Sequence, residues 1–365
     1  MNPQKIQMKV CLFGSYIKNS HGIPSGNNGE LLKIILKSQG VEVVECHEPI
    51  LKFHQFFTGY VKLIFKHKNL EYDVIILPWR SIITLPLIKL IHRKPIIYFP
   101  AFSIYDTLVN DRKKLKKNSL RAKIIHWIDG LACKMADRIV LESSEEIKYF
   151  VKEFSLPIEK FRQLSLAADE SIFFPQSDFE GNKFTVLFFG TFIPLHGVET
   201  IVNAANLLKK EKDIEFILCG DGQTKPETEK LVQKECIDNV VMPGLVSKKE
   251  LIEFLKKSDV CLGIFGKSSK ANKVVTNKAL QILASKKCLI TMDSPAAKEA
   301  FLETGVNSIL VPSFRPEKLA EAILFLKNNP EKANQISNAG YKTYQEHLSI
   351  IQTGKKLMCI INELR

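Results

Sequence analysis

Residues 184–222 read FTVLFFGTFIPLHGVETIVNAANLLKKEKDIEFILCGDG, and this stretch decides the fold. An apolar run ends at Gly190, and a tight loop from Thr191 to His196 leads to Gly197. An amphipathic segment follows, and a second apolar run ends in Gly220-Asp221-Gly222. Two runs of strand length around one segment of helical period predict a βαβ unit, with glycines where strands meet loops and helix starts. At the carboxyl ends of such strands, the free N–H groups of a helix start face outward and its dipole favours negative charge. A diphosphate suits that place. The unit stands at mid-chain, which points to two stacked nucleotide-fold domains and away from a simple dinucleotide dehydrogenase.

The same alternation extends in both directions. Strand-like runs fall near 8–14, 41–46, 73–78, 95–100 and 138–142, with helical patterns near 28–39, 81–91, 119–136 and 144–154. Beyond the opening unit, further runs fall near 239–242, 259–264, 288–292 and 308–311. Near-continuous apolar strands separated by helices predict an α/β fold of two doubly wound, Rossmann-like domains, each with a parallel sheet covered on both faces. The stretch 166–183, LAADESIFFPQSDFEGNK, mixes acids, Pro and Gly without period and marks the boundary. The division is 1–170, 171–348 and a C-terminal helical piece, 349–365. One helix start is marked by a capping box, Ser247-Lys248-Lys249-Glu250, ahead of Leu251, Phe254 and Leu255. It places Met242 to Val246 on the same rim as the glycine loops.

At 365 residues, 45% apolar and 25% charged, the chain has the composition of a globular protein with two cores. Its eight cysteines are scattered singly with no CxxC pair, so neither a zinc site nor a redox motif is expected, and a reducing compartment is favoured. The N-terminus leads straight into a strand, so no signal peptide is expected. The formal net charge is +13, and it is uneven: residues 52–134 hold sixteen Lys or Arg against five Asp or Glu. Such a basic domain implies an anionic partner, a membrane or nucleic acid, unless runs such as Arg112 to Lys117 are merely solvated. No nucleic-acid motif is present. The stretch 52–68, KFHQFFTGYVKLIFKHK, interleaves Phe53, Phe56, Phe57, Tyr60, Ile64 and Phe65 with lysines. It reads as an interfacial helix or as a core-facing helix with a basic outer face. The apolar region 74–102 is interrupted by Arg80, Lys89, Arg93, Lys94 and four prolines, so no transmembrane span is expected.

On these motifs the chain resembles the retaining GT-B glycosyltransferases of the family 4 type. FFGTFIPLHGVETIVNAA resembles the first loop and helix of that family's nucleotide-sugar domain, and FILCGDG its second glycine turn. NVVMPGLVSKKELIEFLKKSDVCLGIF resembles the segment that cups the nucleobase. NKALQILASKKCLITMDSP resembles the helix and strand bearing the donor-contacting acidic motif. In the first half, FGSY, SGNNGELLKIILKSQGVEVVEC, YDTLVNDR and ADRIVLES are similar to the family's acceptor domain. The resemblance implies that residues 1–170 bind an acceptor, that 171–348 bind a nucleotide sugar, and that 349–365 cross back onto the first domain. The departures are specific. Thr191 and His196 stand where the family has Arg and Lys, Lys273 and Gln281 replace two glutamates eight apart, and Pro100-Ala101-Phe102-Ser103 lacks an expected histidine.

The candidate site follows. Gly190 and Thr191 lie against the diphosphate, where a side chain would block close approach. His196 serves either as an imidazolium beside the leaving phosphate or as a neutral N–H donor, since a helix N-terminus lowers its pKa. Gly220, Asp221 and Gly222 form a second donor turn. Pro243, Gly244, Leu245 and Val246 make the base pocket. Asn277 precedes Lys278, whose ammonium replaces the missing cations of the first loop. Gln281, on the same helix face, meets the ribose. Gly14 and Ser15 face the cleft from the other domain, Asp106 orients the attacking hydroxyl, and Arg112 lines the acceptor side. Neither metal nor cofactor is expected.

The reading is a retaining transferase of a sugar from a nucleoside-diphosphate donor to a lipid-linked or glycan acceptor, cytoplasmic and peripheral at the inner membrane face. The lost glutamates leave one alternative open, a decayed, non-catalytic relative acting as a binding partner or scaffold. A sugar-nucleotide 2-epimerase would need more carboxylates in the cleft motifs.

Overall fold

The computed structural model describes residues 8–14, 28–48, 56–67, 70–91, 93–176 and 181–364, a few side chains within them excepted. Six strands form a first parallel sheet: β1 (Lys9–Gly14), β2 (Glu42–His47), β3 (Val74–Leu77), β4 (Ile96–Tyr98), β5 (Arg138–Leu141) and β6 (Phe161–Gln163), in the order β2-β1-β3-β4-β5-β6. A second parallel sheet holds β7 (Phe184–Phe189), β8 (Ile214–Cys219), β9 (Val240–Gly244), β10 (Val260–Leu262), β11 (Cys288–Met292) and β12 (Ile309–Val311), in the order β12-β11-β10-β7-β8-β9. The helices of the first half are α1 (Asn28–Ser38), α2 (Phe56–His67), α3 (Leu85–Ile91), α4 (Leu120–Met135) and α5 (Ser144–Phe154). The second half continues with α6 (Val198–Leu207), α7 (Lys225–Lys234), α8 (Lys248–Lys257), α9 (Asn277–Ala284), α10 (Pro295–Glu299), α11 (Pro316–Asn328), α12 (Pro330–Thr343) and α13 (Ile350–Asn362).

The strands are apolar throughout because both faces are covered. Val186 and Phe188 of β7 join one core layer, while Leu187 and Phe189 join the other. In β1, Cys11 and Phe13 face one layer, and Val10 and Leu12 the other. All eight cysteines are free and six of them are buried, where each thiol packs as a small apolar group.

The second sheet reverses direction between β7 and β10. In an open parallel sheet, the crevice at such a switch point is where ligands bind, outside the carboxyl ends of the strands. The connection leaving β7 carries Gly190 to Gly197, and the one leaving β10 leads into α9. The first sheet has its switch between β1 and β3, where Gly14 ends β1.

Three features depart from the sequence pattern or complete it. Strand β6 was not expected: FRQ is three residues long and pairs only with β5 at a sheet edge, where a polar residue costs little. Helix α12 runs into a π turn at Tyr344–Leu348. There the Tyr344 hydroxyl donates to Glu170 at 3.0 Å and accepts from the Ala168 backbone at 3.1 Å, which fixes the inter-domain segment. Helix α13 then lies on the first domain, its Leu357, Ile360 and Ile361 packed with Leu32, Ile35 and Leu36 of α1. Ser15, Phe53 and residues 49–55 fall outside the described residues, as do the side chains of Phe56, Phe57 and Tyr60.

Candidate active site

The first turn of α9 is short of hydrogen bonds. Thr276, its N-cap, makes no side-chain cap. Thr276 Oγ1, Asn277 Oδ1 and Lys278 Nζ are all buried with no hydrogen-bond partner. Lys278 is only 6% exposed, and its Nζ lies 3.6 Å from the centroid of the Phe188 ring, a cation–π contact. Burial without a counter-ion holds its pKa well below the ordinary lysine value. A buried polar atom left unpaired is costly; of these three, Thr276 Oγ1 and Lys278 Nζ can donate, while Asn277 Oδ1 can only accept.

Gly190 lies beside this turn. A Cβ built there, at φ +149°, would stand 3.6 Å from Lys278 Nζ and 3.2 Å from His196 Cε1. The loop glycine, the lysine and the histidine therefore share one small space. His196 ends a short 3₁₀ turn, Pro194–His196, and Gly197 follows in the left-handed region at φ +64° to start α6. A side chain at Gly197 would strike the Phe265 carbonyl carbon at 2.4 Å. His196 Nδ1 lies 2.5 Å from the Thr191 carbonyl oxygen, an acceptor only, so Nδ1 carries the proton. Burial above all holds the His196 pKa well below its ordinary value. The imidazole is thus neutral, and its Nε2 offers a lone pair.

The second glycine turn is packed closely against the first. A Cβ at Gly220 would come within 1.9 Å of the Gly190 carbonyl oxygen, and one at Gly222 within 2.5 Å of the Phe192 carbonyl oxygen. Backbone bonds join the same loops: Gly190 N to Cys219 O at 3.0 Å, Phe192 N to Asp221 O at 2.9 Å, and Gly220 N to Gly244 O at 2.7 Å. These glycines let three loop crests lie against one another. Asp221 turns back on its own chain, accepting from Gly222 N at 2.6 Å. Gly14 is similar, since a Cβ there would meet Ser81 Oγ at 2.2 Å.

At the expected base pocket, Leu245 is 72% exposed and Pro243 is also exposed. Val246 is not available to cover a ring: it is buried in the core with Leu251 and Leu255 behind the capping box. Gln281, 6% exposed, lies one turn after Lys278 on α9. Among the described residues no cluster of three or more His, Cys, Asp or Glu is arranged to hold a metal ion.

Residues 169–343 match the glycosyl transferases group 1 family. This half of the chain is a group 1 glycosyltransferase domain. Among similar proteins, the alpha-D-kanosaminyltransferase of Streptomyces kanamyceticus is 23% identical over 255 residues, 66% of this chain and 64% of that protein. An uncharacterized glycosyltransferase of Methanocaldococcus jannaschii is 29% identical over 161 residues, 44% of this chain and 43% of that protein. The matched segments thus span less than two thirds of either relative's own length. A sucrose-phosphate synthase structure from Thermosynechococcus elongatus superposes with a TM-score of 0.76 at 15% identity, covering 98% of this chain and 99% of that one. Anabaena HepE, in complex with UDP-glucose, superposes with a TM-score of 0.73 at 14% identity, covering 98% and 100%. At such identities the likeness is one of fold, and the whole chain has the GT-B fold.

The group 1 domain meets the first domain along a charged seam. Lys273, at the position of a family glutamate, donates to Asp106 Oδ2 at 2.8 Å, and Asn110 donates to Asp106 Oδ1 at 2.8 Å. Asp106 is 3% exposed, so both oxygens of the residue expected to orient a hydroxyl are committed to protein partners. Lys270, 5% exposed, donates to Thr107 Oγ1 at 2.7 Å and lies 4.1 Å from the Phe102 ring centroid. Arg112 stands at the same seam, its backbone oxygen accepting from Gln223 Nε2 at 3.2 Å. Glu142, just after β5, and Glu146 of α5 face this seam. Burial pushes the Glu142 carboxyl up to about 8, and burial together with Glu142 pushes Glu146 well above the carboxylate range. The sequence reading missed this pair and Lys270, because LESSEE and GKSSKANK give no sign of which acids and lysines turn inward. Ser143 Oγ also donates to the Lys273 carbonyl, and Glu299 of α10 accepts from Ser144 N at 2.7 Å, capping α5 from the opposite domain.

Proposed function

We propose that the protein is a retaining glycosyltransferase that moves a sugar from a nucleoside-diphosphate donor to a lipid-linked or glycan acceptor at an anionic membrane face. The observation that carries this reading is the buried, unpartnered Lys278 Nζ beside Gly190 at the start of α9. A diphosphate there meets the Lys278 amine, the unpaired Thr276 hydroxyl and the free N–H groups of the α9 N-terminus. Gln281 is placed for the ribose, and Leu245 with its neighbouring backbone for the base. The UDP-glucose held by HepE supports a donor of this class.

The chemistry asks for charge stabilisation at the leaving phosphate and for positioning. A diphosphate in this dry space draws protons onto Lys278 and onto Nε2 of His196, so both become cationic where negative charge develops. The mechanism that fits is front-face displacement through an oxocarbenium-like state, with no nucleophile identified among the described residues. In that state the leaving phosphate oxygen takes the acceptor proton.

The membrane reading rests on α4. Leu120, Ile124 and Trp127 are 73%, 47% and 64% exposed at helical spacing, on one face. Exposed Lys113, Lys114, Lys116, Lys117, Arg121 and Lys123 surround them, with no acid between Arg112 and Trp127. An apolar stripe within a basic field suits the headgroup layer of an anionic bilayer. Helix α2 contributes Phe65, 68% exposed, although Leu63 faces the core and Lys66 is paired with Glu48. Among the described residues no helix is long and apolar enough to cross a membrane.

The test is a thermal-shift screen of nucleoside diphosphates on the full chain, followed by release of free nucleoside diphosphate from the matching sugar donor. A binder raises the melting temperature by mass action. A nucleotide that stabilises without turnover of any sugar donor, with or without acceptor lipids, would refute the enzymatic reading. Absence of any stabilising nucleotide would refute the donor site itself.

A further inference from the structure

Four carboxylates and three cations are enclosed where the two domains meet. Asp106, Asp111, Glu142, Glu146 and Arg112 come from the first domain, and Lys270 and Lys273 from the loop ahead of α9. Lys273 pairs directly with Asp106. The others are less well matched. Lys270 Nζ donates to the neutral Thr107 hydroxyl, and Asp111 Oδ1, Asp111 Oδ2 and Glu146 Oε2 are buried with no hydrogen-bond partner. Two further titratable groups against the cluster add no charge. His196, which faces Lys270, is held neutral by burial, and burial keeps the proton on the Tyr149 phenol beneath Lys273. At the rim, Glu299 accepts from Ser144 and Gln163 and has Lys148 beside it.

The enclosed charges are thus four negative against three positive. A charge held away from water without compensation is expensive, and one proton on a carboxylate makes the seam neutral. Removing a proton from a lysine would deepen the imbalance, and the Phe102 ring, 4.1 Å from Lys270 Nζ, favours the charged amine. Asp106 is committed to Lys273 and Asn110. The proton belongs where two carboxylates adjoin. Glu142 and Glu146 do so at the start of α5, where Glu146 accepts from the Glu142 backbone and the two like charges disfavour ionising both. The cluster also spans the contacts that part when the domains separate: Lys273 with Asp106, Lys270 with Thr107, and Glu299 with Ser144. Separation returns water to both glutamates, which then ionise in the ordinary carboxylate range.

We propose that this seam is a proton-linked latch: closure of the two domains takes up one proton, held between Glu142 and Glu146, and opening releases it. The latch does not rest on the transferase reading, and a nucleotide that fails to bind leaves it standing. The closed form binds the extra proton, so acid favours closure and rising pH favours opening. The window runs from the ordinary glutamate value of 4.5 to the value of about 8 at which burial holds Glu142. Within it, one proton changes the open-to-closed ratio about tenfold per pH unit.

The chain carries its own reporters. Two of its eight thiols are exposed, and they stand on different domains: Cys236 after α7, and Cys359 on α13, which lies on the first domain. Donor and acceptor dyes on these native cysteines of the full chain give the separation by Förster transfer, read from about pH 5.5 to about 8.5. The radius of gyration of the unlabelled chain checks the direction. The wild type opens as pH rises. Glu142→Gln and Glu146→Gln each balance the seam without a proton, so either one abolishes the pH dependence. Lys270→Met removes a cation, calls for a second proton and moves opening to lower pH. A wild type that stays the same across this range, or closes as pH rises, would overturn the latch, as would an unchanged slope in both glutamine variants. If circular dichroism shows the glutamine variants unfolded, Lys270→Met decides, and an opening midpoint that does not move refutes the proposal.

Discussion

Replacing Lys278 by methionine should make the free protein more stable and deprive it of its donor. The amine is 6% exposed, has no partner, and has its pKa held well below the ordinary 10.5 by burial. In the unfolded chain the same amine is protonated. The unfolded state therefore binds more protons, and stability rises with pH through the interval between the folded and unfolded values. Stripping the proton at pH 7 costs at most about 5 kcal/mol at roughly 1.4 kcal/mol per unit. Replacing buried charged groups by apolar ones of similar volume stabilises by about 1–4 kcal/mol in comparable cases. A gain of roughly 2–4 kcal/mol in Lys278→Met is expected, or about 5–15 °C in melting temperature for a domain of this size. The gain shrinks as pH rises towards the unfolded lysine value. The same variant should lose about 10²–10³-fold in turnover and give no thermal shift with nucleoside diphosphate. In the wild type, binding draws protons onto Lys278 and His196, so affinity falls as pH rises above their free-state values. Calorimetry in buffers of different ionisation enthalpy then shows net proton uptake. A Lys278→Met protein that is less stable yet still answers to the nucleotide would show that the amine is a structural prop and would refute the reasoning.

Gly220→Ala should destabilise the group 1 domain by several kcal/mol in urea unfolding, since its Cβ meets the Gly190 oxygen at 1.9 Å and φ is +143°. Lys273→Met should cost about 3–5 kcal/mol by leaving the buried Asp106 carboxylate without its cation, while adding Asp106→Leu recovers most of that loss; a double-mutant cycle showing no coupling would dissolve the pair. Ile124→Ser with Trp127→Ser should leave circular dichroism and melting unchanged, because both side chains are already exposed, and should reduce sedimentation with anionic vesicles at low salt. Equal sedimentation with neutral vesicles at high salt would remove the electrostatic part of that account.

The strands and most helix limits were legible because burial on both faces writes a continuous apolar run, and because Ser247 to Glu250 writes its own cap. The placement of Lys278 in the first turn of a helix beside a glycine turn was legible from the Asn277 start and the Gly190 loop. Asp106 was not. Its partner Lys273 lies 167 residues away, and a charge that closes an inter-domain seam looks in sequence like any other acid. Val246 misled because an apolar residue in a rim loop can face the ligand or the core, and the capping box turned it inward. Asp111 and Glu146 escaped notice because burial of a carboxylate leaves no local signature.

The cap that Glu299 places on α5 bears on how the two halves can be separated. The first N–H of that helix, at Ser144, is satisfied by a residue encoded about 150 positions later, in the other domain, while Ser143 of its own domain caps the N–H of Glu146. Each half, cut free, gives up a bond that the other was completing: the first keeps its Ser143 cap but leaves the Ser144 N–H open, and the second keeps a carboxylate with nothing to hold. The domains are therefore not interchangeable modules. A chimera that joins this first domain to the second half of a relative inherits a fully bonded start of α5 only if the newcomer brings a carboxylate to the place of Glu299.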